Sequence, residues 1–201
     1  PPMLEQRIQQ HFIDSADLKY QAAQALSPSI AAAVHAILAC VTSGGKVLAC
    51  GNGPSAADAQ HFAALCVAGF ERDRPELAAL ALTGDSTLLT AGPSGHHDTR
   101  QQYARQVRAL GQAGDVLLVL SVGGHDPNLL AAAEAAHERD MSIVLLTGRT
   151  GGALAAMLRE TDVLLNVPHE RAARVREVHG LVLHCLCDGM DAQLLGEQEI
   201  A

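Results

Sequence analysis

Asn52, Gly53 and Ser55 stand directly behind the apolar run 46–50 and open an Ala-rich segment, 55–69. Small and hydroxyl residues at such a junction suit an anion. Glycines let backbone amides come close, a serine adds an O–H donor, and a following helix points free N–H groups at the charge. Two more stretches have this character. Ser121-Val122-Gly123-Gly124-His125-Asp126 follows the aliphatic run 115–121, and Thr147-Gly148-Arg149-Thr150-Gly151-Gly152 follows 142–148. Ser55 and Ser121 are the candidate hydroxyl donors, with Asn52, Gly53, Gly123 and Asp126 beside them. Glycines at strand ends also serve plain tight turns, but three such loops at one sheet edge point to a phosphate-sized anion. Neither GxGxxG nor GxxxxGK[ST] occurs, so the pattern is not that of a dinucleotide fold or a P-loop.

The elements that must position these loops follow from hydrophobic pattern. Five near-continuous aliphatic runs, at 46–50, 77–83, 115–121, 142–148 and 162–167, have strand length and no polar alternation. Strands buried on both faces look like this and are usually parallel. Ala-rich segments of helical length lie between them at 55–69, 98–111, 127–139 and 151–160, and a long helix is expected over 170–195. The alternation predicts an α/β fold: a three-layer αβα sandwich on a five-stranded parallel sheet. In such a sheet, ligands bind beyond the carboxyl ends of the strands, where the three loops lie. Two helices are expected first, over about 4–25 and 29–42, separated at Ser27-Pro28-Ser29. The whole reads as one domain, 1–201, with a helical pair at about 3–43 and the sheet with its covering helices at about 45–196. Apolar surface on the leading helices suits packing against another subunit.

Composition bounds the function. The 201 residues include no Trp, two Tyr and three Phe, so the core must be aliphatic. A formal net charge of −8 argues against direct nucleic-acid binding, which needs a basic face. Five cysteines without a paired or zinc-ribbon spacing fit reduced thiols and a cytoplasmic location. No signal peptide and no apolar run long enough to span a bilayer is expected, so no membrane role is expected either.

Four stretches, CGNGPSAADAQHFA, DVLLVLSVGGHDPN, SIVLLTGRTGGALA and RVREVHGLVLHCLCD, together resemble the SIS (sugar isomerase) domain. The likeness covers nearly the whole chain and is closest to the phosphoheptose isomerase branch. It implies a flavodoxin-like arrangement of the sheet and a homotetramer. Within that branch, SAADAQHFAA, FERDRPELAALAL, YARQVRALGQAGDVLL and HCLCDGMDAQLL resemble the DiaA-like members, which bind the bacterial replication initiator DnaA.

Single residues separate the two readings. The isomerase branch implies zinc and an acid/base pair that moves a proton between neighbouring carbons of a sugar phosphate. His61 and His184 match its two histidines, but Leu65 stands where the resemblance implies a glutamate and Arg176 where it implies a glutamine ligand. Two histidines begin a metal site without completing it. His179, five residues before His184, points elsewhere. Pro54 removes a backbone donor from the first loop. Gly123 and Asp126 stand at two serine positions of the phosphate loop, and an aspartate repels a phosphate. The loop Gly92-Pro93-Ser94-Gly95-His96-His97 reads as shortened. Arg171, Arg174 and Arg176 either receive an acidic ligand or line a solvated helix face. Leu194 and Leu195 match an apolar pair that the DiaA likeness implies for docking the initiator.

The expectation is therefore a non-catalytic adaptor for DnaA, without a cofactor. The alternatives are a phosphoheptose isomerase acting on sedoheptulose 7-phosphate, using His184 and zinc, or a phosphosugar-sensing module.

Overall fold

The computed structural model describes residues 2–92 and 98–197. Five strands form one sheet: β1 Val47–Gly51, β2 Ala79–Ala81, β3 Val116–Ser121, β4 Ser142–Gly148 and β5 Val163–Val167. Every pairing is parallel and the order is β2-β1-β3-β4-β5. This is the flavodoxin-like order, with the switch point between β1 and β3. Every residue of β1 and β3 is buried, which is why these runs show no polar alternation.

Among the described residues seven α-helices cover the sheet: α1 Pro2–Thr42, α2 Pro54–Ala68, α3 Ser86–Thr90, α4 Gln102–Leu110, α5 Pro127–Glu138, α6 Gly152–Ala156 and α7 Ala172–Leu195. On one face α1, α2 and α7 join a core with Ile37, Phe62, Leu118, Leu146, Val182 and Leu186. On the other, α4 and α5 pack with Leu48, Val119, Leu129 and Leu145. Two carboxylates lash the opposite end of the sheet from the loops. Asp115 accepts from the Lys46 and Gln112 amides at 2.9 Å each and from Lys46 Nζ at 2.6 Å. Asp162 accepts from the Ile143 and Arg159 amides and meets His137 at 2.7 Å.

The leading pair of helices is instead one helix of 41 residues, with Pro28 inside it. Its buried stripe, Leu18, Ala22, Leu26, Ala33, Val34, Ile37 and Cys40, runs unbroken past the proline. Burial of that stripe outweighs the single backbone bond that proline removes. The exposed Ser27 hydroxyl meanwhile donates to the Ala23 carbonyl. By length and composition α1 could cross a membrane, which corrects the expectation that no segment could. Its second half instead lies against the sheet. Its first half leaves Met3, Leu4, Ile8, Phe12, Ile13 and Tyr20 exposed. The expected strand 77–83 shrinks to three residues at the sheet edge, and the segment 151–160 holds only the five-residue α6. The proposed shortened loop at 92–97 lies, from Pro93 on, outside the described residues.

One ion pair fixes α2 against α7. The side chain of Arg74, in the loop after α2, is fully buried and meets that of Asp191 of α7, itself 1% exposed. The same guanidinium donates to the Leu65 and Cys66 carbonyls at 2.9 and 2.7 Å, capping the end of α2. Asp191→Asn leaves that guanidinium short of its counter-charge in a dry site. Urea unfolding should show a loss of about 3–5 kcal/mol.

Candidate functional site

The loop after β1 turns sharply because Gly51 allows it. A Cβ there would sit 2.7 Å from the Ser55 carbonyl oxygen. Tyr103 holds the turn from below, its hydroxyl donating to the Gly51 carbonyl at 2.7 Å. Burial pushes that hydroxyl up to about 12, so it stays a neutral donor. α2 then starts with Pro54 in its first turn and Ser55 buried.

The loop after β3 faces it across the switch point. Gly124, at φ 71°, packs so closely on the third loop that a Cβ would meet the Gly151 oxygen at 2.0 Å. The Leu154 amide donates to the Gly124 carbonyl at 2.9 Å. The third loop therefore buttresses the second.

Between the first two loops lies a polar cluster. Ser121 Oγ accepts from the Gly124 amide at 2.9 Å and donates to the Asp126 carboxylate. Asn52 Nδ2 donates to Asp126 at 3.1 Å and to Asn128 at 2.9 Å, and Asn128 returns a bond to Asn52 at 2.8 Å. Asn52, Ser121 and Asp126 thus come together across the two loops. Gly53 lies on the same loop as Asn52, Ser55 in the first turn of α2 behind it, and Gly123 on the loop of Ser121. Asp126 does not swing away: it takes the hydroxyl that an incoming phosphate would use. Asn128 escapes sequence reasoning. Its only signal is its place two residues after Asp126 at the start of α5.

The second part of the site is the seam where α2 meets α7. His61 and His184 bring their Nε2 atoms to 3.3 Å. Phe70 stacks on the His184 ring with centroids 5.4 Å apart. Both histidines face solvent. Further up the seam Arg176 forms a forked pair with Asp58, Nε to Oδ2 at 3.1 Å and Nη2 to Oδ1 at 3.0 Å, and also donates to the Pro54 carbonyl at 3.3 Å. Asp58 escapes sequence reasoning too; it sits one turn before His61 on α2. Leu65 packs against the core.

The other arginines separate by role. Arg174 is buried and ties α7 to α1, donating to the His11 carbonyl at 2.6 Å and to Glu177 at 2.8 Å. Arg171 is half-exposed, 3.6 Å from Asp14. His179 points into the core, with Nε2 3.0 Å from the Thr147 carbonyl. Leu194 and Leu195 are exposed at the end of α7. Four cysteines are buried, while Cys185 is exposed, and all five are unpaired.

The zinc implied by the resemblance does not fit these residues. Among the described residues no group of three His, Cys, Asp or Glu could hold a metal ion. His61 and His184 supply two ligands, and a leucine and a guanidinium stand where two more are implied.

Two consequences are measurable. Asp126→Ser removes the charge that competes for Ser121, so a sugar phosphate should bind at least about tenfold more tightly by calorimetry. Unchanged affinity would mean the carboxylate does not compete. His179 has a depressed proton affinity, chiefly through burial, with Arg176 acting the same way and the Thr147 carbonyl and Asp58 opposing. The unfolded chain takes this proton first, near the free-imidazole value of about 6.5. Stability should therefore be fully present above that value and fall as pH drops below it. In His179→Gln the urea midpoint should vary less between neutral and mildly acidic buffer.

The geometry agrees with comparisons to known proteins. A family model for the SIS domain matches residues 10–148. The chain is 60% identical over 198 residues to a phosphoheptose isomerase of Methylibium petroleiphilum, covering 98% of each. It is 53% identical over 193 residues to one from Azoarcus, covering 96% of this chain and 98% of that protein. The solved phosphoheptose isomerase GmhA of Neisseria gonorrhoeae superposes with a TM-score of 0.88 at 48% identity, over 94% of this chain and 99% of that one. These full-length likenesses overturn the expectation of a non-catalytic DnaA adaptor. That expectation weighed a few altered positions, chiefly Leu65 and Arg176, above a likeness that runs through the whole chain. The isomerase alternative is the one they support. The chain belongs to the SIS-domain family, in its phosphoheptose isomerase branch.

Proposed function

We propose that this chain binds a phosphosugar at the β1–β3 switch point and interconverts its ketose and aldose forms, with sedoheptulose 7-phosphate as substrate. Full-length identity of up to 60% to proteins named phosphoheptose isomerase carries this reading. The phosphate would lie against Ser55, Ser121 and the amides around Gly53 and Gly123, at the start of α2 and α5, displacing Asp126 from Ser121.

The reaction moves two protons. A C–H bond breaks at carbon 1 and forms at carbon 2, and an O–H bond is lost at oxygen 1 and gained at oxygen 2, through an enediol. That requires an acceptor and a donor side by side. His61 and His184, sharing one hydrogen across 3.3 Å, present one of each.

A homotetramer belongs to the same proposal. The exposed stripe of Met3, Leu4, Ile8, Phe12 and Ile13 on α1 gives an apolar face for other copies of the chain. The unpaired cysteines suit a reducing compartment such as the cytoplasm. The loss of a carboxylate at Leu65 favours a second reading, a phosphosugar-binding module that senses its ligand without turnover.

The test is conversion of sedoheptulose 7-phosphate followed by proton NMR. His184→Asn should lower kcat by about 10²–10⁴-fold while leaving the fold intact. Binding without conversion would select the sensing module. Absence of both binding and conversion refutes the phosphosugar reading.

A further inference from the structure

His61 and His184 keep the separation that two imidazoles have around a tetrahedral zinc with bonds of roughly 2.0–2.1 Å. Half of a ligand set is therefore in place, and the other half is not. Leu65 packs half-buried against the core and offers no ligand atom, and His179 is committed to the Thr147 carbonyl. Arg176 supplies a charge that cannot be lost, because a guanidinium in a protein does not deprotonate. A fixed cation on this seam repels a second one.

Arg176 is held rather than free. Its Nε and Nη2 are taken up by both oxygens of Asp58, at 3.0 to 3.1 Å, and Nη2 also reaches the Pro54 carbonyl. Nη1 has no acceptor among the described residues. The guanidinium is two-thirds buried and Asp58 more so. Gly180 stands one turn after Arg176 and one turn before His184, on the same face of α7. A Cβ at Gly180 would meet nothing within 4 Å, so the helix face between the cation and the imidazole pair is open.

We propose that this site takes its phosphosugar without a metal ion, and that Arg176, oriented by Asp58, supplies the fixed positive charge and donates through Nη1 to an oxygen of the ligand. The inference rests on the phosphosugar reading for the ligand and on the seam alone for the metal. Asp58 is a positioning residue here. It fixes the plane of the guanidinium, which a lysine could not reproduce.

Two measurements on the full-length protein test it. Calorimetric titration of zinc into chelator-stripped protein should show no stoichiometric uptake by the wild type, and uptake by the Leu65→Glu/Arg176→Gln double variant. Sedoheptulose 7-phosphate should bind the wild type with a Kd unchanged by EDTA. Arg176→Gln should weaken that binding about tenfold or more, and Arg176→Lys and Asp58→Asn should each weaken it in part. Circular dichroism confirms that the variants fold. Stoichiometric zinc uptake by the wild type, or sugar binding abolished by EDTA, overturns the proposal. Binding that Arg176→Gln leaves unchanged overturns the role given to the guanidinium. Wild type that binds no sedoheptulose 7-phosphate with or without zinc sinks the phosphosugar reading and the ligand role together, while zinc uptake still decides the metal claim by itself.

Discussion

Arg74 and Asp191 meet where water is excluded on both sides, and the relation of α2 to α7 depends on them. A buried guanidinium without its carboxylate carries a large desolvation cost, so the pair tolerates little sliding. Arg74 also closes the carbonyl end of α2. α2 is thereby held in register along α7, and three contacts follow down the seam: Arg176 with Asp58, His61 with His184, and Arg74 with Asp191. The imidazole pair is exposed and could not hold itself together against water. It exists because a buried ion pair at one end and a forked one at the other fix the helices that carry it.

The sheet sets the other half of the site. With β1 and β3 adjacent and the chain departing from them in opposite directions, the loops that follow must part and leave a crevice. Asn52 and Asn128 reach across it and join the two loops. Asp126 occupies the serine hydroxyl between them. The cradle is therefore satisfied by the protein's own groups, which removes the cost of an unpaired buried hydroxyl when no ligand is bound. It also sets a competition that a phosphate must win.

The chain shows how family and site residues carry different information. Likeness to phosphoheptose isomerases runs along 198 residues at 60% identity, so it reports on the fold as a whole rather than on any one side chain. The seam between α2 and α7 accommodates a leucine and an arginine because it borders solvent and Asp58 orients the guanidinium. Leu65 and Arg176 set the apolar and cationic character of that seam without disturbing the scaffold.

Aliphatic runs without polar alternation fix five buried strands, and Ala-rich intervals fix helices between them, so the parallel α/β class follows from the sequence alone. The small and hydroxyl residues behind β1 and β3 likewise mark the loops before any coordinates are known. Their signals are local, because a strand end and a helix start are neighbours in the chain. Tertiary structure decided the rest. Pro28 reads as a break, yet a continuous buried stripe carries α1 through it. Asp58 and Asn128 look unremarkable in sequence, because their partners Arg176 and Asn52 lie 118 and 76 residues away. The arginines at 171, 174 and 176 look alike until packing sends one to solvent, one to α1 and one to the crevice. Long-range pairing of polar groups leaves no periodic trace, since it depends on which helix faces which, and only the folded sheet determines that.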